Sequence, residues 1–352
     1  MALLLLVIII SISTILVADI DEDELPTYLE LTVGTNPILS DTDLDELPDG
    51  FEYLHGLDPL ADWRRSDLKS AIRGGLCDIY LRSCKSLVLK LKGTTKVETV
   101  WNILKWIDEK IEYNKTKAKE EDRRYQSPEE TLRLRKGICT DYALLTSALL
   151  ICAGVKPIYV LDIDLEYEDH VAAAVMVGNE LYVLDQHLPP IPLSIYISRS
   201  KRILQDTIKS IRIYKVDKNN DTVSVNEVSV NTEVKKPPLD ELRKCLITEF
   251  LKMYKHYNLD PRLRNYALKI AKKFYDKLPP LPSRYEEGVV IGYTLPVEYC
   301  PSAFIHLISS WIIQNMLKGY EDDLRKYQYF YLHIEDMIDE NGNILIILIV
   351  AK

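Results

Sequence analysis

The sequence predicts an α+β fold, and three observations carry that prediction. Apolar residues recur at helical spacing through much of residues 64–152 and again through 239–317. Strand-like runs cluster between them, in 155–230. Two further apolar runs, Tyr327 to Ile338 and Ile344 to Val350, flank Asn341-Gly342-Asn343 and read as a hairpin. Helical and strand-like stretches therefore come in blocks, as α+β folds require. A length of 352 residues, 47% hydrophobic and 28% charged, suits a folded protein of two or three domains.

Residues 1–18 stand apart. Ala2 to Ala18 is apolar except for Ser11, Ser13 and Thr14, and reads as a signal peptide or a short membrane anchor. As a helix it would span about 25 Å at about 1.5 Å per residue. Asp19 and the run Asp21 to Glu24 follow at once, which suits export or anchoring with the bulk of the chain at the extracellular face of the membrane, or secreted. Positions 1–63 hold 14 acids and no Lys or Arg, leaving the rest near +5 within a total of −9. An acidic start and a mildly basic remainder give no footprint for nucleic acid.

Residues 19–62 read as an acidic calcium-binding module. In S-D-T-D-L-D-E-L-P-D-G-F-E, the residues Asp41, Asp43, Asp45, Leu47 through its carbonyl, Asp49 and Glu52 occupy positions 1, 3, 5, 7, 9 and 12 of a calcium loop. Carboxylates this dense repel one another unless a hard, oxygen-seeking cation joins them. The segment resembles the thrombospondin type 3 and related calcium repeats of secreted proteins, with Glu46 standing where those repeats carry glycine. The metal's expected role is structural.

Arg64 to Leu91 reads as largely helical, and Val97 to Tyr113 as an amphipathic helix with Val97, Val100, Trp101, Leu104, Ile107 and Ile111 on one side. That helix should pack beside the one that starts at Cys139. Lys115 to Arg124 reads as a solvated charge run. The six cysteines include no Cys-x-x-Cys pair to suggest zinc.

The chain is organised around Tyr125 to Asp185. Gly137 interrupts any helix arriving from Thr131, and a new helix starts near Cys139, with Leu144, Leu145, Ala148, Leu149 and Cys152 at helical spacing before Gly154 and Pro157. A helix start favours an anion through its free amides and dipole, the setting in which a cysteine is most nucleophilic. Val155 to Ile163 reads as a strand, and His170 opens another that turns at Gly178-Asn179 into E-L-Y-V-L-D. Pairing Val177 with Glu180 sets His170 opposite His187 and Ala172 opposite Asp185. His170 and Asp185 become diagonal neighbours on one face, roughly 7 Å apart at the backbone. Ala172 and Ala174 on that face leave room for the helix carrying Cys139.

These residues resemble a known family. S-P-x-E-T-L, then G-x-C-x-D-Y-A-x-L-x-x-A-L-L, then a His opening one strand and an Asp closing the next, is similar to the transglutaminase-like superfamily of papain-related folds. The resemblance runs from the Trp101 region to Pro190. It implies Cys139 as nucleophile, His170 as general base and Asp185 as the residue that orients the imidazole. V-A-A-A after the His departs from an aromatic common in the family, which implies a differently shaped cleft. His187 is a rival base.

Strand-like alternation returns at Ile211 to Val216 and Thr222 to Val230, and N-T-E-V-K-K-P-P-L-D reads as a boundary. The expected organisation is therefore 1–18 signal or anchor, 19–62 calcium module, 63–236 papain/transglutaminase-like catalytic domain, and 237–352 an α-rich accessory domain ending in a hairpin. The expected activity is acyl transfer by Cys139, His170 and Asp185, hydrolysing a peptide, protein or cell-envelope amide, with no cofactor in the chemistry. The alternatives are a protein cross-linking transglutaminase, or a non-catalytic calcium-binding surface scaffold that keeps the fold.

Overall fold

The computed structural model describes residues 16–219, 222–230, 238–272, 278–296, 300, 302–335 and 343–352. Most of Ala2 to Ala18 lies outside them, as do most of the 231–240 boundary and the Asn341-Gly342 turn. Among the described residues no helix is long and apolar enough to cross a membrane.

Two short helices open the description, α1 (Thr27–Val33) and α2 (Asp49–His55), each entered from a proline and ended by a glycine in the left-handed region, Gly34 and Gly56. The stretch read as largely helical, Arg64 to Leu91, forms two helices, α3 (Leu68–Gly75), capped by the Asp67 carboxylate, and α4 (Asp78–Leu91). A reciprocal Thr95 and Glu98 capping box starts α5 (Lys96–Lys110), which buries Val100, Trp101, Leu104 and Ile107 and packs on the later helix α7 (Cys139–Cys152). Between them, α6 (Pro128–Leu134) starts on Ser127, whose hydroxyl accepts from the Glu130 amide, and stops at Arg135 with φ +57°. The helix arriving at Gly137 thus ends earlier than its sequence predicts. The residues after it form a two-residue parallel ladder, β1 (Glu112–Tyr113) with β2 (Lys136–Gly137).

Helix α7 is apolar on all sides and is correspondingly enclosed: every residue from Asp141 to Leu150 is buried. It packs on β3 (Ile158–Leu165). That strand pairs antiparallel with β4 (Asp169–Val177) on one side and β7 (Ile208–Asn219) on the other, and β7 pairs with β8 (Thr222–Glu227). Ala172, Ala173 and Ala174 are buried. These elements lie in a first compact unit: residues up to Met176, Leu184–Leu188 and Asp206–Val230. The acidic segment 19–62 belongs to this same unit. Asp45 accepts from the Trp63 amide at 2.9 Å, and Arg64 pairs with Glu46 at 3.2 Å and Asp62 at 3.0 Å.

The second unit comprises Val177–Val183, Pro189–Gln205 and the chain from Asn231 on. It contains most of β5 (Glu180–Leu184), paired antiparallel with β6 (Ile191–Pro192), and the short helices α8 (Leu193–Ser198) and α9 (Ser200–Ile203). Its remainder holds α10 (Leu239–Met253), α11 (Arg264–Lys272) and α12 (Ile305–Leu317) around a sheet. That sheet has four strands, not the two of a hairpin: β9 (Asn258–Leu259), β10 (Gly288–Pro296), β11 (Tyr329–Glu335) and β12 (Asn343–Ala351), in the order β10-β12-β11-β9. Tyr331, Ile347 and Ile349 of the sheet bury against Leu263, Ala267 and Ile270. The C-terminal part is therefore mixed α and β, where the sequence predicted an α-rich domain.

Candidate active site

Cys139 is the first residue of α7, and one buried carboxylate fixes that start. Asp141 accepts from the Ile138 amide at 2.9 Å, from the Gln126 amide at 2.8 Å and from Lys117 Nζ at 2.7 Å. Its neighbour Gly137 has no space for a side chain, because a Cβ there would stand 2.8 Å from the Asp141 Cβ. Tyr113 pairs with Gly137 across the β1 and β2 ladder, and the Asn114 amide donates to the Gly137 carbonyl at 2.8 Å, so the wall before the nucleophile turn is tied to it. Burial raises the Asp141 carboxyl, while Lys117 and the two amides pull it back down.

His170, second residue of β4, places Nε2 2.9 Å from Asp185 Oδ1, which leaves Nδ1 as the ring nitrogen for Cys139. Both side chains are largely enclosed, about 16% and 15% exposed. Burial pulls the imidazolium down, but the Asp185 charge and hydrogen bond, together with a hydrogen bond and charge from Cys139, outweigh it and push His170 up to about 10. The structure thus brings Cys139, His170 and Asp185 together. It turns His187 elsewhere: its Nδ1 lies 2.7 Å from Asp108 Oδ1, its ring is exposed, and the Leu188 amide donates to the other Asp108 oxygen at 3.1 Å.

Half-buried Cys139 opens into a cleft of about 720 Å³. Tyr113, Tyr125 and Tyr167 line it, with basic residues from the 115–124 stretch and the acids Asp162, Glu168 and Asp169. That basic stretch is not simply solvated, since Lys117 within it is buried.

In the acidic loop, the carboxylate oxygens of Asp41, Asp43 and Asp45 gather within 4.8 Å of one another. Asp49 does not join that group. Its Oδ1 accepts from the Thr42 amide at 2.8 Å and its Oδ2 from the Thr42 hydroxyl at 2.5 Å, and it lies among Asp23 and Glu30. Glu46, at the position where glycine is usual, takes the left-handed turn with φ +75°. Leu47 donates its amide to Asp45 Oδ1 at 3.0 Å and is fully buried. Glu52 is fully buried with no hydrogen-bond partner for either oxygen, and Asp43 Oδ2 is likewise unpartnered. Burial first and the neighbouring carboxylates second push Glu52 up to about 10 and Asp43 to about 7. An all-oxygen set with orphaned buried oxygens fits a hard divalent cation.

The chain is 31% identical to a UPF0252 protein of Archaeoglobus fulgidus over 292 residues, covering 77% of this chain and 85% of that one. The chain belongs to the UPF0252 family. A UPF0252 protein of Pyrococcus horikoshii is 26% identical over 263 residues, 71% of this chain and 79% of that one. One of Methanocaldococcus jannaschii is 34% identical over 160 residues, 41% of this chain and 44% of that one. A family model described as a transglutaminase-like domain matches residues 82–214, the stretch that contains Cys139, His170 and Asp185. Among solved structures, a candidate cysteine protease from Cytophaga hutchinsonii is 17% identical at a TM-score of 0.26, covering 45% of this chain and 57% of that one. Calcium-bound LapG of Legionella pneumophila is 15% identical at 0.26, covering 44% and 93%. Both scores are too low to transfer anything to this chain.

Three features of the site escaped the sequence reading. Lys117 and Asp141 meet across 24 positions, Tyr113 is brought to Gly137 by a ladder of two residues, and Asp108 captures His187. Only Asp141 left a signal, as an acid in the first turn of an otherwise apolar helix, where a carboxylate caps free amides.

Proposed function

We propose that this UPF0252 protein is a cysteine acyl-transfer enzyme that hydrolyses peptide or amide bonds. The observation that carries the reading is the pairing of His170 Nε2 with Asp185 Oδ1 at 2.9 Å, with His170 beside Cys139 and Cys139 lining the cleft. A His170 held protonated stabilises the Cys139 thiolate next to it. The Cys139 sulfur attacks the substrate carbonyl, and His170 Nδ1 hands its proton to the leaving amine, giving a thioester and a free amine. His170, now neutral, takes a proton from water as the water attacks the thioester; the acid leaves, and the thiolate beside a protonated His170 is restored. Asp185 keeps the ring oriented throughout. The Cys139 amide, at the α7 start, is an oxyanion donor in this scheme.

The Asp41 to Glu52 loop would hold calcium through Asp41, Asp43, Asp45 and Glu52, with the Leu47 carbonyl as an expected further contributor; Asp49, engaged by Thr42, stands outside this set. The ion would neutralise carboxylates that otherwise repel one another in a buried setting. Its role is structural. The substrate is a peptide, protein or cell-envelope amide, met at the outer face of the membrane through an N-terminal anchor or after secretion.

Incubation with a glutamine peptide and a labelled amine tests the reaction. Release of ammonia or peptide faster than amine incorporation supports hydrolysis, and the reverse order supports cross-linking. A native Cys139 that resists alkylation near pH 6, as an inert buried thiol does, would replace both with the non-catalytic scaffold.

A further inference from the structure

Residues Asp19–Glu30 repeat Asp41–Glu52 at a constant offset of 22 positions: both read D-x-D-x-D-E-L-P-x-x-x-E. The backbone repeats with the letters. Positions four and six are left-handed in both loops, Glu22 and Glu24 at φ 64° and 77°, Leu44 and Glu46 at 63° and 75°. Bulky side chains rarely take that conformation, so four matched instances mark one loop design used twice. The first carboxylate folds over its own loop in each copy: Asp19 accepts from the Glu22 and Glu24 amides, both at 2.9 Å, and Asp41 from the Glu46 amide at 2.9 Å. The ninth residue closes each loop by donating its amide to the carbonyl just before it, Thr27 to Ala18 at 3.0 Å and Asp49 to Ser40 at 2.9 Å.

The first copy also has an observation of its own that calls for a ligand. Glu30, its twelfth residue, is fully buried, and neither carboxylate oxygen has a hydrogen-bond partner. Asp21 is half-buried, and its two oxygens are shielded and likewise without a partner. Asp19, Asp21 and Asp23 bring carboxylate oxygens within 4.8 Å of one another, and Asp23 and Glu30 do so together with Asp49. No Lys or Arg occurs before Arg64 to balance them. Carboxylates enclosed without donors or a counter-charge are the arrangement that a cation resolves. Ligand atoms that are all oxygen select a hard ion over zinc or copper.

We propose that Asp19, Asp21, Asp23 and Glu30 hold a second calcium ion, so that the protein binds two ions in a paired module. The pairing is physical. Asp23 Oδ2 accepts from the Gly50 amide at 2.8 Å, and a Cβ at Gly50 would stand 2.1 Å from the Asp23 carbonyl oxygen, so only glycine allows the two loops to approach this closely. The inference extends the calcium reading of the Asp41 to Glu52 loop but stands on separate residues, and the two fail separately.

The test is calorimetric titration of calcium chloride into the intact chain after chelator treatment, with the unfolding midpoint recorded for every variant. The parent binds two ions per chain. Glu30→Gln and Asp21→Asn each reduce this to one, and Glu52→Gln also leaves one, held in the first loop. A parent that binds one ion, lost in Glu52→Gln and retained in Glu30→Gln, overturns the Asp19–Glu30 site and keeps the Asp41–Glu52 site; a parent that binds none overturns both. If Glu30→Gln loses both ions through misfolding, seen as a collapsed midpoint, Asp21→Asn decides, because its side chain is not fully enclosed. Retention of two ions there refutes the proposal, and retention of one supports it.

Discussion

Replacing Lys117 with methionine tests how the nucleophile helix is anchored. Lys117 and Asp141 are about 6% and 0% exposed and 2.7 Å apart, so the substitution leaves a buried carboxylate with two amide donors and no counter-charge. Breaking a buried pair in this way costs about 3–5 kcal/mol. The structure supplies an independent ceiling, since Asp141 can escape by taking a proton. At pH 7 that costs a carboxyl with an ordinary value of 3.8 about 4 kcal/mol, at about 1.4 kcal/mol per pH unit. The sign follows from linkage: a carboxyl whose folded value lies above its unfolded one takes up a proton on folding, so acidification favours the folded form. The deficit of Lys117→Met relative to the parent should thus be at most about 3–4 kcal/mol at pH 7 and should narrow toward pH 5 by no more than about 1.4 kcal/mol per pH unit, because the parent's own raised Asp141 shares part of the gain. Urea unfolding at pH 7, 6 and 5, followed by tryptophan fluorescence, measures it, because Trp63, Trp101 and Trp106 all lie in the first unit. A variant as stable as the parent at pH 7, or a deficit that widens on acidification, would show that the amides alone satisfy Asp141.

Other expectations follow from the same geometry. Cys139→Ala and His170→Ala should each abolish turnover with the fold intact by circular dichroism, whereas Asp185→Ala should lose on the order of 10⁴-fold or less, because it only orients the base; full activity in His170→Ala with loss in His187→Ala would exchange their roles. Since His170 is raised to about 10 in the folded protein against an ordinary 6.5, its pairing with Asp185 stabilises fully below about pH 6.5 and fades as pH rises through about 10. The kcat/KM profile should carry an alkaline limb near 10 that Asp185→Asn moves to lower pH, and an unmoved limb would assign it to another group. Gly137→Ala should cost about 1–3 kcal/mol in urea unfolding, because its Cβ would press on the Asp141 side chain, and a neutral result would show that the turn yields at no cost.

The placement of Cys139 was legible because punctuation and periodicity agree there: Gly137 precedes a run with Leu144, Leu145, Ala148 and Leu149 at helical spacing, and Gly154, at φ +76°, ends it. The strands β3 and β7 were equally legible, as runs rich in β-branched residues, and β4 from Val171, Val175 and Val177 ahead of the Gly178 turn. β10 was not, since Gly288, Gly292 and Pro296 dilute its pattern and its burial follows its place beside β12. Lys117 sits in a run of charges that, read locally, belongs in water. Only a carboxylate 24 positions away gives it a reason to be buried, and no window of sequence contains that reason. The repeat at Asp19 was legible as letters, yet Thr27 stands where the second loop has Asp49. The buried, unpartnered Glu30 is what distinguishes a built loop from a merely acidic stretch.

The borders of the cleft carry opposite charge: Lys115, Lys119, Arg123 and Arg124 on the stretch before α6, and Asp162, Glu168 and Asp169 on β3, β4 and the turn between them. Attraction between two such edges reaches across water, but only over about 8 Å at physiological ionic strength and about 30 Å in dilute buffer. Arg124 is already paired with Glu130 and Asp162 with Arg212, so the field across the mouth is weaker than a count of its charges suggests, and added salt weakens it further. A substrate with a dipole along its backbone would be turned to one orientation before it touched the sulfur, and added salt would erase that alignment first, leaving the chemistry behind it unchanged.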